Sequence, residues 1–461
     1  MRVRKLDQST LLVYIFLLIS LTVSVVSEAA GRAKGKQEFP RLGGMQIGSS
    51  PYPGSIASAE YRKEIAKLDF AVINKPSRNL TEYAKDIKRH NPDIVIAKYM
   101  NIAETRLNDN FYDTPLREKL DSEKGPNSSN AYDWWLRDKD GNRLQLWPNT
   151  YRVNLSEWVK PDANGQRWPQ FRAKFEYDLN MKDPVWDGWY MDLTNWEPKW
   201  KGGTTGDFSG GKVSNAEHNR GYRRAHRAFW NEIRRLTPGK LIFVNHDWHH
   251  HDPNGTLASN LGEYEGANGG YLEYEMDWVD NQRDWTKIYT WYRRSMKYFS
   301  EPKYVLFDAR GRAGDYQFFR YAFTTALMDD GYFDYSPHEK TQKGVVTWFD
   351  EYDLAGKSDT RWMGRAISSP PNKPWKSGVY RRDFENAVAL VNPKQNGTVT
   401  VTVESGLRRI SGTQDRSVNN GKPAGSITLK GGDGIVLVRE SGSSTARTTV
   451  ERPKAPSLSV N

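Results

Sequence analysis

Cysteine is absent from this chain of 461 residues. The absence excludes disulfide bonds, thiolate nucleophiles and metal sites built on cysteine, and it suits an exported protein that needs no oxidising folding machinery. The sequence also lacks a GxSxG nucleophile elbow and any Walker or dinucleotide-binding glycine motif set between a strand and a helix. A serine hydrolase of that type is therefore not indicated, and no cofactor is expected.

Long apolar runs are absent beyond the N-terminus. There, basic residues 2, 4 and 5 precede an apolar run over residues 11–26 and the small residues of SEAA. This order is typical of an export signal, so we predict a signal peptide over residues 1–27 and a secreted or cell-envelope location. The run is short for a membrane span, and an uncleaved signal anchor is the alternative.

A concentrated basic block is also missing, although the formal net charge is +11. The basic residues are spread over a large chain, so no nucleic-acid partner is expected. We also expect the protein to be a monomer. The histidine group that begins at His246 lies in a Pro/Gly-containing stretch and lacks the helical HExxH spacing. It therefore predicts no dedicated metal site.

Short apolar runs alternate with longer, helix-like stretches through most of the chain, as in parallel sheets covered by helices. Eight candidate strands begin near Leu42, Leu68, Asp93, Asp187, Leu241, Gly269, Lys303 and Ala326. Eight strands close a TIM barrel, so the predicted fold class is α/β, a (β/α)8 barrel. The third connection, about 101–185, is far longer and rich in tryptophan, and we interpret it as a loop over the carboxyl ends of the strands.

The predicted domains follow changes in pattern along the chain. A linker at 28–40 precedes the barrel at 41–374, and a tail at 441–461 is polar, without periodicity, and expected to be disordered. Residues 375–440 alternate with a period of two between Asn-Gly and Asp-Gly turns. That pattern predicts a small C-terminal antiparallel β-domain resembling a sandwich.

Two stretches place an acid at a strand end in the same register. In WDGWYMD, alternation sets Gly188, Tyr190 and Asp192 on one face, and in NGGYLEYE it sets Glu273 on the corresponding face. If these faces line the barrel, both acids reach the mouth from strands four and six. Helix capping is the alternative role for such acids.

Two carboxyl groups across a cleft match the needs of glycoside hydrolysis, in which one group serves the anomeric carbon and the other protonates the leaving oxygen. The donor must keep its proton near neutral pH, which an apolar or anionic setting allows by raising its pKa. Glu275 shares the face of Glu273 in a regular strand, so it stays an alternative acid/base.

Further polar and aromatic residues near strand ends are candidates for substrate binding. Lys98, Asn245, Asp308 and Asp334 are predicted to bind sugar hydroxyls or orient the acids, the alternative being buried ion pairs or hydrogen bonds within the barrel. The aromatic candidates are Tyr190, Trp196 and Tyr271, because aromatic rings stack on the apolar faces of sugars. Core packing is the alternative for the tryptophans.

The succession WWLRDKDGNRLQLWP, WDGWYMDLTNW, NGGYLEYE, MDDGYFDYS, WFDEYDLAG and VYRRDFENAVALVNP resembles glycoside hydrolase-like family fifteen over residues 41–440. This is an export-associated bacterial group related in pattern to endo-α-1,4-polygalactosaminidase barrels. The resemblance implies a TIM barrel with a C-terminal β-domain that acts on glycosides. By analogy with retaining α-glycosidases it implies Asp192 as nucleophile and Glu273 as acid/base.

These observations together predict an exported glycoside hydrolase with a carbohydrate substrate, acting with retention at an α-linkage. An inverting enzyme would use the same two acids farther apart. A non-catalytic carbohydrate-binding protein on the same scaffold is the main alternative, and a lyase on acidic glycans is a further one.

Overall fold

The computed structural model describes residues 38–47, 55–74, 76–123, 133–138, 140–194, 215–245, 266–277, 284–312, 314–337 and 346–440. The predicted signal peptide at 1–27, most of the predicted linker and the predicted tail at 441–461 lie outside these residues. Within the described ranges, no helix is long and apolar enough to cross a membrane.

Eight parallel strands form one sheet whose strand order follows the chain. They are β1 Gly43–Ile47, β2 Phe70–Ile73, β3 Val95–Asn101, β4 Gly188–Asp192, β5 Leu241–Asn245, β6 Gly269–Asp277, β7 Leu306–Gly311 and β8 Tyr332–Pro337. The sheet closes because the Phe333 N–H donates to the Arg41 carbonyl at 2.9 Å and Leu42 forms a parallel bridge to Phe333. The predicted TIM barrel is confirmed.

Helices cover the barrel and supply most connections. They are α1 Ala59–Ile65, α2 Leu80–His90, α3 Asp113–Ser122, α4 Trp168–Glu176, α5 Asn215–Leu236, α6 Trp285–Tyr298, α7 Tyr316–Ala326 and α8 Asp350–Asp353, with a π-helix Tyr177–Met181 after α4. In α5 the buried residues Tyr222, Phe229 and Ile233 recur at helical spacing and turn one face inward. Asp284 and Asp315 accept backbone N–H groups at the starts of α6 and α7.

Alternation along the strands separates two cores. Side chains such as Ala97, Tyr190 and Phe243 fill the barrel interior, whereas their sequence neighbours pack beneath the helices. Much of the interior is filled by aromatic rings, including those of Phe70, Tyr190 and Phe243.

The third connection is a small folded insert. It contains α3, α4 and a three-stranded sheet made of Glu104–Arg106, Gln145–Trp147 and Thr150–Arg152. Trp134, Trp135 and Trp168 are buried in a core of their own, whereas Trp147 is 45% exposed. For the three buried tryptophans, packing is the role that the structure shows.

The C-terminal region is an antiparallel β-domain, as predicted. Its strands are β9 Tyr380–Asp383, β10 Ala387–Asn392, β11 Val399–Thr402, β12 Leu407–Arg409, β13 Ser426–Leu429 and β14 Asp433–Arg439. Sheets β9-β10-β14-β12 and β11-β13 enclose a separate apolar core. Strand β14 packs against α7 of the barrel, where Arg320 contacts Asp415 at 2.6 Å.

Two element boundaries differ from the sequence prediction. The eighth strand begins at Tyr332 because Ala326, where the sequence placed its start, is the last residue of α7. At the predicted linker, Glu38–Phe39 pairs with Gly364–Arg365 as a short antiparallel ladder. The Phe39 ring is buried 4.9 Å from that of Phe384, and this contact holds the segment against the folded body.

Candidate active site

The two acids singled out by their register lie on β4 and β6, Asp192 at the end of its strand and Glu273 within its strand. Asp192 is the last residue of β4, two residues beyond the buried Tyr190, and its side chain is partly exposed. Glu273 lies in β6, two residues beyond the buried Tyr271, and is also partly exposed. Only β5 separates their strands.

Asn245, the last residue of β5, joins the two carboxyl groups. Its Nδ2 donates to Asp192 Oδ1 at 2.9 Å and to Glu273 Oε2 at 2.8 Å, which uses both hydrogens of the amide. Because both hydrogen bonds start from one nitrogen, the two oxygens lie no farther apart than the sum of these lengths, about 5.7 Å. The predicted pair therefore faces one shared space.

Asp192 has further donors on both carboxylate oxygens. The Leu193 N–H donates to Oδ1 at 2.8 Å, and the Tyr99 hydroxyl from β3 donates to Oδ2. Leu193 holds a positive φ of 53°, a conformation that costs a side-chain-bearing residue energy and recurs at functional sites. The backbone turn after β4 thus directs an amide at the acid.

The hydroxyl of Tyr99 stays protonated and is therefore a hydrogen-bond donor at neutral pH. Burial, together with the negative charge of Asp192, raises the pKa of Tyr99 well above its ordinary value. Its ring stacks on that of Tyr190 with centroids 5.5 Å apart, and Tyr190 meets Tyr271 edge to face at 6.3 Å. These rings form the wall beneath the two acids.

An irregularity in β6 distinguishes Glu273 from Glu275. Leu272 pairs with Phe307 and Met276 with Ala309, so three residues of β6 lie opposite the single residue Asp308. Simple alternation does not hold across this bulge. Glu275 is only 1% exposed, whereas Glu273 is partly exposed and contacts Asn245. Of the two acids, Glu273 is the one whose side chain is open to solvent.

A second acid pair lies on the two strands that follow β6 in the barrel. Asp308 of β7 and Asp334 of β8 are register partners. The Tyr271 hydroxyl donates to Asp308 Oδ2 at 2.9 Å, and the Met45 N–H donates to Asp334 Oδ2 at 2.8 Å. Burial, and then the charge of Asp308, raises the pKa of Asp334 well above its ordinary value.

One predicted substrate-binding residue, Lys98, does not join this group. Lys98 lies on the outer face of β3, where its Nζ is 3.5 Å from Glu176 Oε1 and donates to the Tyr99 carbonyl at 2.5 Å. It is 4% exposed beneath the insert, which matches the buried ion pair weighed as its alternative role. Trp196 lies outside the described residues, as does His246.

Sequence reasoning missed Tyr99 and Glu104. The register of β3 could have identified Tyr99, because Ala97, Tyr99 and Asn101 pair with Gly188, Tyr190 and Asp192 and share their face. Nothing in the sequence marked Glu104, which follows the strand end. Among the described residues, no cluster of three histidine or carboxylate side chains is arranged to hold a metal ion.

A family comparison agrees with this geometry. The model described as hypothetical glycosyl hydrolase family 15 matches residues 88–388. The chain belongs to this family. Membership makes the protein a glycoside hydrolase with a carbohydrate substrate, and the matched range contains both Asp192 and Glu273. The predicted family is therefore confirmed.

Solved structures similar to the chain include other glycoside hydrolases. The glycoside hydrolase domain of PelA from Pseudomonas aeruginosa is 15% identical, covering 67% of this chain and 99% of that one, with a TM-score of 0.40. An Anoxybacillus alpha-amylase is 10% identical over 88% and 98% of the two chains, with a TM-score of 0.44. A GH27 β-L-arabinopyranosidase from Geobacillus stearothermophilus is 9% identical over 90% and 99%, also at 0.44. A search of curated proteins found no match.

Proposed function

We propose that the protein is an exported glycoside hydrolase that cleaves a polysaccharide or oligosaccharide with retention at an α-linkage. Asp192 is the nucleophile and Glu273 the acid/base. The observation that carries this assignment is the Asn245 amide, which donates to both carboxyl groups and so fixes them against each other. A substrate bond held above this amide has one acid on each side.

The reaction proceeds in two steps. In the first, a carboxylate oxygen of Asp192 bonds to the anomeric carbon while Glu273 transfers its proton to the departing glycosidic oxygen. In the second, Glu273 takes a proton from water, and the water oxygen replaces Asp192 at the anomeric carbon. Donation from Tyr99, Leu193 and Asn245 holds Asp192 in place for both steps.

The separation of the acids supports retention. Retaining enzymes hold their two carboxyl groups about 5 to 5.5 Å apart, whereas inverting enzymes need about 6.5 to 9.5 Å to admit a water. Because both oxygens bond to one nitrogen, the distance between Asp192 Oδ1 and Glu273 Oε2 is at most about 5.7 Å, the sum of the two hydrogen-bond lengths. The α-configuration rests on the resemblance to retaining α-glycosidases.

The remaining mouth residues suit a sugar. Tyr190 and Tyr271 form the packed floor below the acids, and the partly exposed Asp334 of β8 supplies a hydrogen-bonding oxygen, with the buried Asp308 beside it. Export is proposed from the N-terminal pattern alone. Sequencing the N-terminus of protein recovered from the medium and from washed membranes would distinguish cleavage after residue 27 from an uncleaved anchor.

Hydrolysis of a glycan panel tests the catalytic assignment. The panel contains amylose, pullulan, dextran, galactomannan, α-1,4-linked polygalactosamine and an acidic glycan, and reducing ends are measured with the parent, Asp192→Asn and Glu273→Gln. We expect both variants to lose about 1,000-fold or more in kcat, because each removes a group that acts in the transition state. Glu118→Gln on α3 and Asp359→Asn repeat the same chemical changes at exposed positions and should retain parent activity.

The outcomes separate the alternatives. A parent that releases no reducing ends, yet binds one glycan as tightly as both variants do, is a carbohydrate-binding protein. Products that absorb in the ultraviolet through an unsaturated bond indicate a lyase. Either result overturns the proposed hydrolase.

A further inference from the structure

Glu104 is a third carboxyl group next to the candidate active site. It lies three residues beyond the end of β3 and begins the short strand Glu104–Arg106, which pairs with Thr150–Arg152 of the insert. The insert therefore fixes its backbone close to the mouth of the barrel. No step of the proposed reaction uses this acid.

Asn101 links Glu104 to the site. Asn101 is the register partner of Asp192, and its Nδ2 donates to Glu104 Oε1 at 2.7 Å. Its own Oδ1 accepts the Ala103 N–H at 3.0 Å, which orients the amide. Two inward residues of β3 thus hold two neighbouring acids, Tyr99 holding Asp192 and Asn101 holding Glu104.

The second oxygen of Glu104 has a different environment. Oε2 is buried, and within the part of the chain that the structure describes it makes no hydrogen bond. Buried carboxyl oxygens in folded proteins are nearly always satisfied, so an unsatisfied one beside a catalytic acid points to a group that is used during binding or reaction.

The charge state of Glu104 makes this oxygen a donor. Burial and the negative charge of Asp192 raise the pKa of Glu104 to about 8, although Arg106 and Arg152 act in the opposite direction. Tyr222 of α5 also interacts electrostatically with Glu104. Burial raises the pKa of Tyr222 to about 12, so its hydroxyl is neutral at neutral pH. At neutral pH Glu104 keeps its proton, and because Oε1 accepts from Asn101 the proton belongs on Oε2.

We propose that Glu104 is a further substrate-binding residue, whose Oε2 donates a hydrogen bond to a hydroxyl of the sugar held at Asp192. The proposal rests on the proposed glycosidase function and adds a residue to that site. A neutral carboxyl group can approach Asp192 and the sugar together, where a second carboxylate would repel the first.

Bound sugar changes the titration of Glu104 in a defined direction. It covers the carboxyl group and accepts a hydrogen bond from it, so the pKa of Glu104 is higher in the complex than in the free protein. By linkage, the affinity for the sugar is highest below the pKa of Glu104 in the free protein, about 8, and falls as the pH rises above that value. An amide at position 104 cannot ionise, so its affinity does not change over this range.

Calorimetric binding in a Glu273→Gln background tests the proposal, because that background neither hydrolyses the sugar nor titrates at residue 273. The probe is the tetrasaccharide cut from the panel glycan that the parent hydrolyses. Between about pH 6 and 9.5 we expect Kd to rise by up to about tenfold per pH unit above 8. Adding Glu104→Gln should leave binding at low pH within about threefold and remove the rise, whereas Glu104→Ala should bind about tenfold more weakly than the background at pH 6 and also show no rise.

Glu118→Gln in the same background is the matched control and should keep the rise. The proposal is overturned if the Glu104→Gln curve coincides with that of the background, or if Glu104→Ala binds as tightly as the background at pH 6. Should the Ala variant fail to fold, the Gln curve decides alone. A parent that hydrolyses its glycan while these curves coincide refutes only the role of Glu104. A parent that cleaves and binds nothing refutes the proposed function, and this role with it.

Discussion

At the scale of single residues, the site depends on a neutral amide between two acids. Asn245 can donate to Asp192 and Glu273 at once because its amide carries two hydrogens and no charge. An aspartate there would add a second negative charge beside Asp192, and a hydroxyl would offer one donor. The sequence placed Asn245 at a strand end, but only the geometry shows that it serves both acids.

Replacing Asn245 with alanine should impair hydrolysis. The lost hydrogen bond to the Asp192 carboxylate is worth about 1.5 to 3 kcal/mol, so we expect kcat/KM to fall about 100-fold. Asn164→Ala, in an exposed turn of the insert, should leave kcat/KM within about twofold. Steady-state hydrolysis beside thermal unfolding separates this effect from misfolding. Activity above about one third of the parent in a folded Asn245→Ala protein would contradict the bridging role.

The sequence identified most of the mouth because alternation fixes faces once one residue is oriented. Asp192 and Asn245 end β4 and β5, whereas Asp308 and Asp334 lie within β7 and β8 as register partners. Lys98 was predicted to bind substrate because it is a polar residue near a strand end. It lies between the inward residues Ala97 and Tyr99, so alternation places it on the outer face of β3. Glu104 could not be predicted because the insert determines its position.

At the scale of elements, β6 combines close packing with a bulge. A Cβ built on Gly269 would lie 2.0 Å from the Tyr304 carbonyl oxygen, which belongs to the backbone and cannot rotate away. This approach brings the chain before β7 against β6, and β6 carries Glu273. The glycine that marked the repeated motif in the sequence is thus required by packing.

Gly269→Ala should therefore destabilise the fold. Forcing a methyl group into this contact should lower the free energy of unfolding by about 3 kcal/mol, the upper part of the range for overpacking. Gly314→Ala has no atom within 4 Å of the added Cβ and should change stability by less than about 1 kcal/mol. Urea denaturation measures both. Equal midpoints for the two variants would show that β6 and Tyr304 can separate without cost.

The contact between β3 and α4 gives a pH prediction. Although burial alone would raise it, Lys98 and Arg172 lower the pKa of Glu176 to about 2. A carboxyl group depressed in the folded state stabilises above its unfolded pKa of about 4.3, and that stability is lost as the pH falls toward 2. The stability of Glu176→Gln should depend less on pH between about 4.5 and 2 than that of the parent. Parallel curves from unfolding at a series of pH values would contradict this.

The existence and order of the eight barrel strands followed from the sequence because buried parallel strands are short apolar runs. The internal structure of the insert did not follow. Its core unites Trp134 and Trp135 with Trp168 across more than thirty residues, and such contacts leave no local period. The bulge in β6 was likewise invisible, since the extra residues continue the apolar and acidic pattern.

At the scale of the whole molecule, α7 of the barrel packs against strand β14 of the C-terminal β-domain and joins the two domains. Arg320 is 4% exposed and contacts Asp415 at 2.6 Å and Asp433 at 3.3 Å. Removing one partner of a buried ion pair leaves the other charge uncompensated. The two domains should therefore unfold together, with Arg320 as a principal link.

Arg320→Ala should lower the free energy of unfolding by about 3 to 5 kcal/mol. Arg365→Ala removes an exposed pair with Glu385 at 2.7 Å and should cost less than about 1 kcal/mol. Calorimetry should show one transition for the parent and for Arg365→Ala, and a lower or divided transition for Arg320→Ala. A cost below about 1 kcal/mol for Arg320→Ala would show that the link is dispensable.

The stereochemistry of the first product tests the central claim most directly. Proton NMR of the anomeric signal, followed from the start of hydrolysis and before mutarotation, reports the configuration that the enzyme releases. Two acids held by the amide of Asn245 should release the same anomer as the bond that is cut, because Asp192 and then water each invert the centre once. Release of the opposite anomer would mean a single displacement by water and would contradict Asp192 as nucleophile.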